Sequence, residues 1–323
     1  MSVLSKAYMH DEAAAFAHVE SIIWPDGPVC PHCGVVDRAY PLTGVRSKPS
    51  KKNPEGIERH GLWKCRECRK QFTVRKGTIF EESHIPMHKW LQAIHLMVSS
   101  KKGISSHQLH RVLEITHKSA WFMSHRIREA MRNDGNVDFG ANGGTVEVDE
   151  TFIGNDRNVK PKGEKKGRGY AHKHKLLTLV DRSTGKAKSI VVDDLKTKTL
   201  LPILKANIAK EAVIYTDEAG QYRFLSRDFA EHDFVRHGAG EYGRGVVHTN
   251  TIEGYFSVFK RGMKGVYQHC AKKHLHRYAA EFEFRYNNRS ANGVDDVERG
   301  EIALRAVVGK RLTYQGPDRE SAQ

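Results

Sequence analysis

The sequence predicts a mixed α/β core preceded by a small metal-stapled ribbon and a helical segment, and three observations carry that prediction. Four cysteines fall in two CxxC pairs, "CPHC" at Cys30 and Cys33 and "CREC" at Cys65 and Cys68. From Pro86 to Arg132 apolar residues recur at helical spacing, as on amphipathic helices. From Thr145 onward strand-like runs surround a helical one, the texture of a mixed sheet flanked by helices.

In chain order, residues 1–27 read as an N-terminal helix closed by "WPDGP", and 28–82 as a zinc ribbon of short strands. Residues 83–135 read as a helical domain, whose fit to DNA is taken up below, and the turn-rich "NDGNVDFGANGG" links it to the α/β region. Residues 145–290 are the expected catalytic domain, with strands at "TVEVDETFIG", "HKLLTLVD", "AKSIVVDD" and "AVIYTD" and a helix at "KTLLPILKANIA". Residues 291–323 make a C-terminal helix and tail.

The 323 residues carry a formal charge of +15. A surplus of that size favours a polyanionic partner, most commonly nucleic acid, although charge alone does not separate DNA from RNA or an anionic membrane. No apolar run approaches a membrane span, and the first residues lack the apolar core of a signal peptide. A cytoplasmic protein without a membrane partner is expected. In that compartment paired CxxC knuckles read as a structural Zn2+ site of Cys30, Cys33, Cys65 and Cys68, against the alternative of free or redox thiols. His32 and His60 are rival ligands, and Cys270 reads as a buried small residue. The basic stretch "RSKPSKKNPEGIERH" between the knuckles is either a DNA-contacting excursion or a solvated loop.

"KKGISSHQLHRVLEITHKSAWFMSHRIREAM" divides into helix, turn and helix, with Ser105 or Ser106 as the first cap. That is helix-turn-helix spacing, whose second helix would turn Ser119, His125, Arg126 and Arg128 toward phosphates or base edges. Plain helical packing is the competing reading.

Three acids stand out by location. Asp149 sits within an apolar strand, where an unpaired charge is costly. Asp217 ends the strand "AVIYTD", and Glu253 opens the last helical region. Acids on the first strand, at the end of the fourth and on a later helix are arranged as in a ribonuclease-H-like core. There two hard divalent cations about 4 Å apart activate the attacking oxygen and stabilise the leaving one. Asn250, Glu253, Ser257 and Lys260 share one stripe of that helix. Glu253 would face the ions, while Lys260 and the adjacent Arg261 would meet the DNA. A solvated stripe is the plain alternative.

"VEVDETFIG", "YTDEAGQY" and "HTNTIEGYFSVFKRGMKGVYQHCAKKHLHRYAAEFEFRYNNR" closely resemble the DDE-type transposases of bacterial insertion sequences, in the ISXO-like group that carries an N-terminal zinc ribbon. "GTIFEESHIPMHKWLQAIHLMVSSKKGISSHQLHRVLEITHKSAWFMSHRIREAM" resembles the same group's ribbon exit and helical region. The resemblance implies a ribonuclease-H-like core that uses Mg2+ or Mn2+, two ions per site, to cleave the element's ends and join them to target DNA. Carried over residue by residue, the catalytic acids are Asp149, Asp217 and Glu253. It also implies a homodimer or higher assembly on double-stranded DNA, near the bacterial nucleoid. The third acidic position varies in this group between asparagine and glutamate, and this chain has both Asn250 and Glu253. Glu253 is favoured, Asn250 is an auxiliary candidate, and Glu147 is a rival on the same strand face as Asp149. Glu150 points away and reads as structural. A basic hairpin with Lys165, Lys166 and Arg168 would grip the flanking DNA, unless it is merely solvated.

Overall fold

The computed structural model describes residues 2–51, 53–133, 135, 138–155 and 172–313. In chain order the elements are α1 (Glu12–Ile23), β1 (Ala39–Pro41), β2 (Trp63–Cys65), β3 (Gln71–Phe72), α2 (Met87–Ser99), α3 (Ser106–Leu113) and α4 (His117–Met131). Then come β4 (Thr145–Ile153), β5 (His174–Asp181), β6 (Lys186–Val192), α5 (Thr197–Asn207), β7 (Val213–Asp217) and β8 (Glu231–Val235). The chain finishes with β9 (Gly243–Arg244), β10 (Val247–His248), α6 (Asn250–Gly262), α7 (Lys272–Asn287) and α8 (Asp296–Arg305). A π-helical turn, Met263–Tyr267, extends α6.

The chain divides into two compact units. The first gathers residues 1–100, 104–131 and 295–323. Its ribbon is the antiparallel sheet β1-β2-β3. Ser105, one of the two caps read from the sequence, accepts the Gln108 amide at 3.1 Å, and Asp11, not singled out there, caps α1 by accepting the Ala14 amide at 2.7 Å. Glu114, in the left-handed region at φ 51°, ends α3 and turns the chain into α4. Helix α8 packs on α1 and α2, and Arg299 Nη1 donates to the Val98 carbonyl at 3.0 Å.

The loop between the two knuckles is an ordered hairpin-like excursion. Ser47 N donates to Ile57 O at 2.8 Å, and the Arg46 guanidinium donates to the Glu55 and Gly56 carbonyls. Most of its side chains are exposed.

Helix α4 corrects one expectation. Arg126 is 6% exposed and Arg128 2%, so neither faces a ligand. Arg126 donates to the carbonyls of Ile79 and Glu81, both at 2.8 Å, and of Leu312 at 3.1 Å, with its guanidinium over the Phe122 ring. Arg128 donates to Ser124 Oγ at 2.9 Å. The helix therefore spends these arginines on internal carbonyls and a hydroxyl, and it exposes only His117 and Lys118 at its start. Ser124 and His125 are buried as well.

The second unit holds a five-stranded sheet in the order β6-β5-β4-β7-β8. β4, β5 and β6 are antiparallel, while β4, β7 and β8 run parallel. Strands covered on both faces read as apolar runs, and "HKLLTLVD" behaves so: Leu177 and Leu179 join one core with Val146, Val148, Leu200 and Ile214. Leu176 and Val180 join the other, with Ile252, Tyr255, Phe256 and Phe259 of α6 and Tyr278 and Phe282 of α7. No helix among the described residues is long and apolar enough to cross a membrane.

Candidate active site

Strand order sets the first two acids on neighbouring strands. Glu147 of β4 lies opposite Tyr215 of β7 in a parallel ladder. The ladder ends there, and Asp149 and Asp217 each follow two residues further along, on the same face of their strands. Asp149 Oδ1 accepts the Glu150 amide at 2.7 Å, and Asp217 Oδ1 accepts the Ala219 amide at 3.0 Å. The Asp149 carboxyl is pushed up to about 8, chiefly by burial and then by the negative charges of Glu150, Asp217 and Glu253. All three predicted acids are thus in one electrostatic neighbourhood.

Helix α6 supplies Glu253 from its first turn, where an acid suits the positive end of the helix dipole. Its side chain is 50% exposed, with Oε1 3.7 Å from His237 Nε2 and 3.4 Å from Thr249 Oγ1. Asn250 and Ser257 are exposed along the same stripe, whereas Ile252, Tyr255, Phe256 and Phe259 are buried, as the spacing predicts. Lys260 is partly buried, its ammonium over the Phe256 ring. Burial lowers its pKa, opposed by the charges of Asp149 and Glu253. Arg261 is exposed and donates to the Ser257 carbonyl.

Glu147 has another occupation. It is fully buried, with Oε1 accepting from Arg182 Nε at 2.6 Å and Oε2 from the Ile252 amide at 2.8 Å. Glu150 faces the opposite side of the strand, where it accepts from Gln221 Nε2 at 3.0 Å and Tyr222 Oη at 2.5 Å. His237, Arg182 and Tyr222 carry no signal in the sequence, because each acts through partners remote in the chain.

Beyond the acids a basic groove of about 1050 Å³ is lined by Lys173, His174, Lys260, Lys264, His269 and Lys272, among others. Cys270, expected to be buried, is half-exposed on its wall. Arg285 pairs with Glu281 on its own helix. Lys165, Lys166 and Arg168 lie outside the described residues.

The sulfur cluster is closed. A zinc–sulfur bond of about 2.3 Å gives a regular tetrahedron an edge of about 3.8 Å. Cys30 and Cys68 sulfurs lie 3.6 Å apart and those of Cys33 and Cys65 3.7 Å, and all four fall within 4.8 Å of one another. Four sulfurs at that spacing fit Zn2+. His32 instead directs Nε2 to the Gln71 carbonyl, at 3.4 Å. Among the described residues this is the one group of His, Cys, Asp and Glu side chains drawn close enough to hold an ion as it stands. The carboxylates are electrostatically coupled but not gathered to that spacing.

The chain thus combines a mixed sheet, with acids on neighbouring parallel strands, and a four-cysteine ribbon. Residues 142–287 match the ISXO2-like transposase domain, and residues 10–71 match a transposase zinc-ribbon domain. The chain thus carries an ISXO2-like transposase domain, preceded by a transposase zinc-ribbon domain. It is 26% identical over 298 residues to an uncharacterised protein in transposable element ISH50 of Halobacterium salinarum, covering 87% of this chain and 92% of that one. It is also 26% identical over 103 residues to a transposase-like protein of Haemophilus influenzae, covering 32% of this chain and 82% of that one. A magnesium-bound catalytic core of HTLV-2 integrase, 11% identical, aligns with 45% of this chain and 86% of that one at a TM-score of 0.25. Nothing about this chain rests on a likeness so loose.

Proposed function

We propose that the protein is a transposase that binds the ends of an insertion sequence as double-stranded DNA, cleaves there and joins those ends to target DNA. The observation that supports it best is that the charges of Asp217, on the neighbouring parallel strand, and of Glu253 both bear on Asp149. The donor set fits a hard divalent cation: neighbouring carboxylates that repel one another, Asp149 and Asp217 partly buried, gain from a shared positive charge. Asp149, Asp217 and Glu253 would hold Mg2+ or Mn2+, and Asn250 offers an auxiliary amide oxygen. Bound ions supply Lewis acidity to the attacking and leaving oxygens.

The other side chains then have distinct tasks. Lys260 neutralises a phosphate next to the acids, and Lys264 and Lys173 continue a cationic path along the groove, with His269 as a further polar contact. Thr249 and His237 both hold the Glu253 carboxylate at Oε1. Water attacks the terminal phosphodiester and releases a 3′ hydroxyl, which attacks a target phosphate in the same site. Because two ends are processed together, a homodimer or higher oligomer on DNA is the working form. The exposed start of α4, with His117 and Lys118, is the part of the helical region we assign to end recognition.

Incubating the protein with Mg2+ and a plasmid bearing the element's termini tests this reading. Joined products are expected. Binding without cutting would mark a regulator that has lost catalysis, and cutting without regard to the termini would mark a nuclease. Asp217→Asn should abolish cleavage and leave end binding within about two-fold; normal nicking by that variant would remove Asp217 from the site.

A further inference from the structure

We propose that Glu147 and Arg182 form a buried clamp that sets how α6 lies against the sheet and so where Glu253 points. Glu147 is then a positioning residue and not an ion ligand. This rests on the reading of Asp149, Asp217 and Glu253 as ion-holding acids.

The first amides of a helix have no partner within it, and Thr249, at the N-cap of α6, makes no side-chain cap bond. The Ile252 amide is satisfied instead by Glu147 of the central strand, at 2.8 Å. The anchor is thus one residue away from Glu253. A carboxylate at 0% exposure is expensive unless paired, and here the pair is Arg182 Nε on the other oxygen, at 2.6 Å.

Arg182 extends the clamp backwards along the chain. Its Nη1 donates to the Val246 carbonyl and its Nη2 to the His248 carbonyl, both at 2.7 Å. Nη2 also lies 2.7 Å from His248 Nδ1, and the Asn250 amide reaches the same nitrogen at 3.3 Å. Glu147 Oε1 lies 3.4 Å from the same nitrogen, so His248 joins the clamp as well. The guanidinium rests over the Tyr215 ring, 5.0 Å from its centre. One cation therefore ties together the strand that bears Asp149, the strand that ends at Asp217, and the β10 segment that leads into α6.

The geometry is directional in a way that apolar packing is not. A slip of α6 by one residue, about 1.5 Å and 100° of rotation, would turn Ser257 and Lys260 into the core in place of Phe256 and Phe259, so apolar packing fixes which face is buried but not its fine setting. The Glu147–Ile252 bond permits one setting. Glu147 and Asp149 are two residues apart on one strand face, so the clamp and the ion ligand share a rigid base.

Glu147→Gln preserves volume but offers one acceptor oxygen, and its amide group faces an N–H donor. One of the two bonds must fail. In the full chain we expect Mn2+ affinity, read by electron paramagnetic resonance, to fall about ten-fold, the loss typical of groups that orient ligands. Amide exchange should quicken over residues 248–256 while α7 stays protected. Arg182→Lys should give a smaller loss of the same kind. Asp217→Asn, the ligand control, should lose Mn2+ yet leave exchange in α6 unchanged. Unaltered Mn2+ affinity in a folded Glu147→Gln protein would overturn the clamp, and so would faster exchange spread evenly through the second unit. If the unsubstituted protein binds no Mn2+, the ion-holding reading fails, and exchange over 248–256 still decides whether the clamp exists.

Discussion

At Asp149 the side chain and the sheet pull in opposite directions. Its carboxyl titrates at about 8 in the fold against 3.8 in a free chain. Between those values the unfolded chain has released a proton that the native state keeps, so native stability falls as pH rises through this window. Below it both states are protonated and no penalty exists; above it the penalty is complete, on the order of a few kcal/mol. In Mg2+-free buffer, Tm should therefore decline from pH 5 to pH 8. Asp149→Asn should flatten that decline, and added Mg2+ should raise Tm at pH 8 in the parent only. A parent whose Tm is indifferent to pH over this range would show that the carboxyl is not held protonated. Arg126 makes the opposite case, a charge placed for the fold alone. Arg126→Ala should cost about 2–4 kcal/mol by stranding buried carbonyls, while leaving the salt slope of DNA binding unchanged. Sequence could locate Asp149, because an acid in an apolar strand has no cheap explanation. It could not distinguish Arg126 from a DNA contact, because helical spacing says nothing about which carbonyls lie within reach of a long side chain.

Among the elements, β5 and β7 were legible because burial on both faces leaves a nearly continuous apolar run, and β4 because Val146 and Val148 alternate with its acids. β8 was not. Its "EHDFV" is short, polar at its start and at the sheet edge, so it reads like the loop around it. The β9–β10 hairpin was missed for the same reason, since two-residue strands carry no periodicity. The apolar side of α6 was plain in the sequence, yet the depth at which it beds was not, because that depends on Gly262. A methyl group there would come within 2.3 Å of the Phe282 ring and 2.6 Å of the Lys102 carbonyl. Gly262→Ala should therefore destabilise the second unit by about 1–3 kcal/mol, seen as a lower urea midpoint. A neutral result would mean that α6 and α7 pack less closely than this.

On the scale of the whole molecule, the two units should melt separately. The ribbon is too small to hold itself by a core: its buried cluster is little more than Cys30, Cys65 and Phe72 with Trp24 and Trp63 at its margin. Structural zinc sites contribute folding energy outright. Stripping Zn2+ with a chelator should abolish the unfolding step of the first unit or lower it by more than about 10 °C, and spare the step of the second. A single unshifted transition would argue that the thiols hold nothing. The knuckles were readable because two CxxC pairs leave few other uses for four thiols, and the surplus of positive charge pointed to a polyanion without saying where it would lie.

The chain leaves the first unit after α4, builds the five-stranded sheet, and returns to lay α8 on α1 and α2. Synthesis proceeds from one end, so the sheet, whose residues are contiguous apart from 101–103, can close while the first unit still lacks its last helix. During translation the part assigned to chemistry would therefore be ready before the part assigned to finding ends is complete.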